Sequence, residues 1–285
     1  MRGGFGGKGG SISSRTIGKQ DVCDRAFNSE NLIRHIAGDD LMVWLDANDI
    51  VALNDGDGIQ TWPAKYGNEP VQSDSLLRPT YKTSSFNGYS CVNFTGTDIM
   101  KWGAPNYLYN GTTSESTILS VTQTNVSGSG QRTILEFGSA WWSSDGVIQS
   151  YGTSNRLNAG VGSQEESDPN EATVRVCGPN LYNAFVSCQQ RAPGGGNANI
   201  ALYVNSEPAP VVSETSTDSA DESRWNAYTI HLGARQGGTL SLEGDIREFL
   251  ILKRCLNEGE AFRVSKAAMK RSKITNRYSD YSLPS

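Results

Sequence analysis

Residues 246–252 read Ile-Arg-Glu-Phe-Leu-Ile-Leu, an apolar run broken only by Arg247 and Glu248. A strand with one face in water alternates apolar and polar residues, whereas a nearly continuous apolar run suits a strand covered on both faces. The segment therefore needs an opposing sheet on one side and, on the other, the next part of the chain. That next part reads as a helix. Asn257 is placed as N-cap, with Glu258 and Glu260 in the first turn and Lys266, Lys270 and Arg271 in the last, charges that complement the helix dipole. The helix is predicted to run to about Arg271 and to turn Phe262 and Met269 toward the sheet.

The rest of the chain favours short strands joined by turns, since 31 of the 285 residues are glycine and long apolar runs are few. Strand-like runs at residues 42–45 and 91–95 bracket a long polar segment, giving strand, decorated loop, strand. Residues 117–123 alternate as a half-buried strand should, and 133–137 return after a hairpin-type turn at 127–131. Further strands are expected at 157–161, 173–177, 182–188, 199–204 and 228–232. In the fourth of these Ile200, Leu202 and Val204 face inward and Asn205-Ser206 makes the turn, Asn being tolerant of positive φ. Polar segments at 163–171, 192–197 and 213–224 read as loops, the last solvated by four acids against one base. A chain of this length, with 36% hydrophobic residues, can bury one large core or two small ones, and one is favoured.

Several motifs stand in a suggestive order: Trp44-Leu45-Asp46-Ala47, Trp62-Pro63, Arg78-Pro79, Phe94-Thr95-Gly96-Thr97-Asp98, Leu202-Tyr203-Val204-Asn205, and Gly244 through Leu252 with its following helix. Together they resemble a laminin-G-like or pentraxin-like domain of the concanavalin A-like lectin/glucanase superfamily. The resemblance spans residues 39–272. It implies an all-β, two-sheet antiparallel jelly-roll sandwich, to which the chain's own composition and capping pattern add a flexible N-terminal arm and a short C-terminal helix. That fold hosts sugar binders, glucanases and purely structural modules, so it does not settle function.

Residues 1–20 carry Arg2, Lys8, Arg15 and Lys19 with no acid, and too little apolar surface to offset the entropy of ordering. They contain a literal GxGxxG, from Gly4 to Gly9, without the preceding strand and following helix that a dinucleotide site requires. The segment is either a disordered tail or an anchoring arm in which Arg2, Phe5, Lys8, Arg15 and Lys19 order against a neighbouring subunit. It is similar to the Gly-rich N-terminal arms of phage virion proteins. Residues 29–36 form a short connecting helix, with Leu32, Ile33 and Ile36 at helical spacing and Ser29 or Asn31 as cap. The expected organisation is arm and linker at 1–38, jelly roll at 39–272 and tail at 273–285, the last carrying Tyr278 and Tyr281.

A formal net charge of −5 argues against nucleic acid as partner, because phosphate binding needs a surplus of Lys and Arg on one face. The five cysteines, Cys23, Cys91, Cys177, Cys188 and Cys255, show no paired spacing and read as free, mostly buried thiols of a protein made in a reducing cytoplasm. Two histidines, His35 and His231, leave little for zinc or imidazole chemistry. No window approaches the roughly 18–20 apolar residues of a membrane span, and the N-terminus lacks the apolar core of a secretory signal.

Glucanases of the superfamily place carboxylates in a Glu-x-Asp-x-x-Glu pattern on one strand, which points to Glu243, Asp245 and Glu248. Asp245 and Glu248 are an odd number of residues apart and are expected on opposite faces, so no catalytic residue is assigned and the chain reads as a non-enzyme. Trp44 is expected in the core. Sugar-stacking candidates on loops are Trp102, Tyr107, Tyr109, Trp141 and Trp142; Trp141 and Trp142, being adjacent, cannot both point inward. Asp55 and Asp57 sit in an oxygen-rich loop of the kind that holds calcium in some relatives, without the full EF-hand pattern, and no other cofactor is implied. The reading is a virion surface protein of tail-fibre or adhesin type, likened to phage proteins, anchored by its arm to other virion proteins and contacting host-surface glycans, with homo-oligomerisation expected. Alternatives are a structural capsid decoration or tail component without glycan binding, and a glucanase-type enzyme.

Overall fold

The computed structural model describes residues 28–103, 114–124, 131–137, 146–152, 156–162, 170–175, 181–191, 199–209, 213–215, 229–236 and 238–275. Arg2, Phe5, Lys8, Arg15, Lys19, Tyr107, Tyr109, Trp141, Trp142, Tyr278 and Tyr281 lie outside them. In chain order the elements are a helix α1 (Ser29–Ala37), then β1 (Leu41–Asp46), β2 (Ala64–Tyr66), β3 (Thr80–Phe86), β4 (Tyr89–Phe94), β5 (Met100–Trp102), β6 (Ser114–Thr124), β7 (Arg132–Phe137) and β8 (Gly146–Gly152). They continue with β9 (Arg156–Gly162), β10 (Asn170–Arg175), β11 (Asn183–Arg191), β12 (Asn199–Val204), β13 (Glu207–Pro208), β14 (Ser213–Thr215), β15 (Ile230–Leu232), β16 (Gly244–Leu252) and the helix α2 (Glu258–Arg271).

The strands form two antiparallel sheets. The first runs β13-β12-β11-β6-β16-β1-β2, with the β3–β4 pair joined to it through β16; the second runs β14-β10-β9-β8-β7-β15-β5. Both helices pack on the outer side of the first sheet, so β16 is a middle layer. All nine of its residues are buried. Ile246, Phe249 and Ile251 enter the core between the sheets, while Leu250 and Leu252 enter a second core beneath the helices. The all-β sandwich and the C-terminal helix are as the sequence implies.

β6 is covered on both faces, not half-buried as its alternation suggested: Ile118 joins the inter-sheet core and Leu119 and Val121 the helix-side core. Its inward hydroxyls are accommodated by a buried polar ladder. Gln149 of β8, fully buried, accepts from Ser120 Oγ at 2.9 Å and donates to Ile118 O at 3.0 Å and Ser187 Oγ at 2.8 Å, which leaves none of these groups stranded.

Asn257 caps α2 in a full capping box with Glu260. Ala261, Val264, Ala268 and Met269 face the sheet, whereas Phe262, one position past Ala261 and so about 100° further round the helix, is 40% exposed. The cap of α1 is Asn28, whose side chain accepts from Asn31 N, instead of Ser29 or Asn31. Leu32, Ile33 and Ile36 are buried against the helix-side core as expected.

The polar segment between β1 and β4 holds more regular structure than its composition suggests. β3, Thr-Tyr-Lys-Thr-Ser-Ser-Phe, pairs with β4 through a turn at Asn87 (φ 53) and Gly88 (φ 81), and exposes Thr83, Ser84 and Ser85. At the β12–β13 turn both Asn205 (φ 50) and Ser206 (φ 66) adopt positive φ. Ser is an unusual occupant there; its N–H donates to Ser265 Oγ of α2 at 2.9 Å, and Asn205 Oδ1 accepts from Ala184 N at 2.8 Å. Gly233, at φ +83, lies so close to the Phe94 ring that a Cβ would sit 2.0 Å from its Cδ1.

Candidate functional site

The Glu-x-Asp-x-x-Glu carboxylates were expected on opposite faces, and the structure overturns this. Ile246 pairs with Thr122 and Glu248 with Val121, so β16 carries one more residue than β6 at this point, a bulge at Arg247. Arg247 and Glu248 consequently both point toward the helix layer, as does Asp245. Asp245 Oδ1 accepts from Asn93 Nδ2 at 2.7 Å. Arg247 is ion-paired to Asp46, and Glu248 accepts from Trp44 Nε1 at 2.7 Å and is ion-paired to Arg271. Burial pushes both Asp245 and Glu248 above the usual carboxylate range, against the pull of Asn93 on the first and Arg271 on the second. Glu248 is fully buried beneath α2 and has no path to a polymeric sugar.

These groups belong to a larger ionic cluster centred on Trp44. The guanidinium carbons of Arg271 and Arg34 lie 5.2 and 5.3 Å from its ring centroid, and Lys65 Nζ lies 5.7 Å away. Lys65 reaches Asp49 at 3.3 Å and Glu30 at 3.4 Å. Four acids, Glu30, Asp46, Asp49 and Glu248, thus meet four bases, Arg34, Lys65, Arg247 and Arg271, drawn from α1, β1, β2, β16, α2 and the turn after β1. The chemistry is that of a fastener. Arg271 Nη1 also donates to Ser29 O at 3.1 Å, and Arg254 donates to Ile36 O at 2.7 Å and Glu260 Oε2 at 2.7 Å, clamping α1 from both ends. Sequence reasoning placed Trp44 in the core but missed its partners, because Glu248 is 204 residues away and only the polar break at 247–248 hinted at it.

Trp102, expected on an exposed loop, is instead in β5, 4% exposed, with its ring edge-on to Phe249 at 6.4 Å. It faces the inter-sheet core and is not available for stacking a sugar. Asp57 Oδ2 accepts from Asn54 N at 2.7 Å and organises its own turn, while Asp55 Oδ1 accepts from Thr83 N at 2.9 Å and ties the loop to β3. Among the described residues no three or more His, Cys, Asp or Glu side chains converge as a metal site, and no helix is long and apolar enough to cross a membrane. Cys91, Cys188 and Cys255 are free thiols; burial, the largest influence on each, pushes Cys91 and Cys255 up to about 12. Cys23 and Cys177 lie outside the described residues.

The outer face of the second sheet carries a different polar arrangement. Lys101, His231, Glu136 and Ile148 follow one another across β5, β15, β7 and β8 as register partners. Since their chain neighbours Met100, Trp102, Ile230, Leu232, Leu135, Phe137 and Val147 fill the inter-sheet core, these four point outward. Glu136 holds the turn after β15, accepting from Arg235 Nε at 3.0 Å and Gln236 N at 2.8 Å. His231 is 7% exposed and its Nδ1 has no hydrogen-bond partner; Asn158 Oδ1 and Arg156 Nε on β9 are likewise unpartnered. Burial lowers the His231 pKa, Glu136 opposing and Lys101 reinforcing the shift, so the imidazole is neutral at pH 7 and its two nitrogens comprise one donor and one acceptor.

No protein-family model matches the sequence, and no curated protein sequence does. Among solved structures, the receptor-binding domain of botulinum neurotoxin mosaic serotype C/D is similar at 12% identity with a TM-score of 0.51, covering 82% of this chain and 52% of that one. The chain therefore spans about half the length of that domain. The CBM40 module of the Ruminococcus gnavus IT-sialidase, solved with sialyllactose bound, is similar at 13% identity and a TM-score of 0.41, covering 53% of this chain and 82% of that one. The Trypanosoma rangeli sialidase is similar at 11% identity and a TM-score of 0.48, covering 88% of this chain and 38% of that one. The first of these likenesses is one of fold, a two-sheet β-sandwich.

Proposed function

We propose that this chain is a non-catalytic, glycan-contacting β-sandwich, carried on a virion or comparable assembly by its N-terminal segment. The observation that carries the reading is the polarity of the sandwich. Asn28, where residues 1–27 join, lies on the helix layer over the first sheet, while the outward polar row Lys101–His231–Glu136 lies on the far side, on the second sheet. Of that row Lys101 is exposed, while His231 is 7% exposed and Glu136 is fully buried; a module tethered on one side with a lysine presented on the other suits attachment. His231 Nδ1, Asn158 Oδ1 and Arg156 Nε are unpartnered but buried, so Lys101, the exposed member of the row, is the side chain offered to a ligand. Of the carboxylate motif that favoured a glucanase, Asp245 and Glu248 are buried on the helix side and Glu243 is paired with Arg132 at 3.1 Å, which supports the non-catalytic reading.

A glycan array probed with the full chain tests this. Binding is expected, and Lys101→Ala should weaken it at least tenfold while the thermal transition stays in place. Absence of signal across bacterial envelope polysaccharides and host oligosaccharides would remove glycan contact and leave a structural component. Deleting residues 1–20 is expected to leave the body folded and abolish incorporation into the assembly.

A further inference from the structure

Although the chain is acidic overall, its bases are unevenly placed. Residues 253–275 hold seven Lys and Arg against two Glu. On α2, Arg263, Lys266 and Lys270 are spaced three and four residues apart, which lines them along one side of the helix, and Lys273 follows just past its end, its Nζ 4.7 Å from the Tyr89 ring centroid. Lys266, Lys270 and Lys273 are exposed, and among the described residues no carboxylate lies within ion-pair distance of any of the four. The exposed Phe262 sits in the same surface, with Lys266 Nζ 5.1 Å from its ring centroid.

The opposite chemistry is found at another part of the molecule, in the loops between β1 and β3. There Val51 is 89% and Leu76 84% exposed, two apolar side chains standing almost wholly in water. Asp55, Glu69 and Asp74 are exposed on the same loops. The loops are tied to one another: Arg78 donates to Gln72 O at 3.0 Å, Ser73 O at 2.9 Å and Gln60 Oε1 at 3.2 Å, and Ile59 N donates to Pro79 O at 2.8 Å. These bonds hold the loops in place, so the exposed acids and the two apolar side chains are presented on a fixed framework.

The geometry points to a head-to-tail contact between copies of this chain, in which the basic α2 face with Phe262 docks on the acidic loops bearing Val51 and Leu76 of the next copy. The two surfaces differ and lie on different parts of one molecule, so the contact is heterologous and propagates into a ring or a row. A second copy is the occupant that supplies both complementary charge and complementary apolar tips. It also fits a module whose copies are held side by side.

The second virial coefficient of the full chain, measured by static light scattering at about 10 mM salt, where charges act over roughly 30 Å, tests this. The wild type, at net charge −5, is expected to be self-attractive. Lys266→Glu with Lys270→Glu takes the charge to −9, and Asp55→Lys with Glu69→Lys takes it to −1. Each pair alone should abolish the attraction, and all four together, which restore −5, should recover it. Leu76→Ser should weaken it at unchanged charge. A repulsive wild type overturns the proposal. So does a −1 variant more attractive than wild type, since attraction would then follow net charge alone, or a four-residue swap that fails to recover it.

Discussion

Glu248→Ala should be among the most damaging single substitutions in the described part of the chain. The carboxylate is fully buried, accepts the indole N–H of Trp44 at 2.7 Å and is paired with Arg271, whose side chain is 16% exposed. Removing one partner of a buried ion pair costs about 3–5 kcal/mol, because the other charge is left without compensation. A stranded indole N–H adds roughly 1–3 kcal/mol. Water reaches Arg271 in part, so the sum falls near the lower end, about 4–5 kcal/mol, against a total stability of roughly 5–15 kcal/mol. Glu248→Gln keeps an acceptor for Trp44 and should lose about 3 kcal/mol. Urea unfolding followed by circular dichroism measures both, with the slope unchanged if only the native state is affected. A double-mutant cycle with Arg271→Met should return a coupling of about 1–3 kcal/mol. If Glu248→Ala costs less than about 1 kcal/mol, or the two changes simply add, the cluster around Trp44 is not what holds the helices down.

Gly233→Ala combines a positive φ with a Cβ driven into the Phe94 ring, and should cost about 2–5 kcal/mol in the same unfolding assay; a loss under about 1 kcal/mol would contradict the close approach. Gln149→Leu strands Ser120 Oγ in the inter-sheet core and leaves Ser187 Oγ only the longer bond from Gln189 Nε2 at 3.4 Å, and is expected to lose about 2–4 kcal/mol despite its greater hydrophobicity. The side chain of Arg254 holds the Glu260 carboxyl below its ordinary value of 4.5, so its stabilisation is present above that pH and is lost as pH falls through the lowered value. The stability gap between wild type and Glu260→Gln, measured by chemical denaturation from pH 7 to 3, should therefore shrink below about pH 4.5; a gap independent of pH would refute the assignment.

Much of the architecture could be read in the sequence because it follows from local pattern. The doubly covered β16, the capped α2 and the inward row Ile200, Leu202 and Val204 are statements of periodicity, and the structure agrees with each. What was illegible depended on partners. β3 is hidden because a strand that leaves Thr83, Ser84 and Ser85 in water has the composition of a loop. Trp102 was placed on a loop because β5 is three residues long, too short to show alternation. Phe262 was assigned to the sheet because it is large, yet the small residues Ala261, Val264 and Ala268 allow the helix to lie close and leave the bulky one outside. The carboxylate motif was read with a strict two-residue period, which a single extra residue defeats. The polar row Lys101–His231–Glu136 joins strands distant in the chain, and no window of sequence contains it.

Shortening a doubly covered strand by one residue ordinarily inverts everything beyond the cut, exchanging its two faces. At Arg247 the arithmetic runs the other way. Excising this residue would leave Ile246 next to Glu248 and restore strict alternation, so that Glu248, Leu250 and Leu252 still faced the helices while Phe249 and Ile251 still faced the opposite sheet. The damage would be local: Asp46 left without its guanidinium, the Tyr89 ring without the cation 5.4 Å from its centroid, and the space filled by the buried Arg247 side chain left empty. A loss of the same size at Phe249 or Leu250 would turn the distal residues to the wrong side. The bulge is thus the one place in β16 where chain length can change without scrambling sidedness, and homologues that differ in length here would still present the downstream carboxylate to the indole of Trp44.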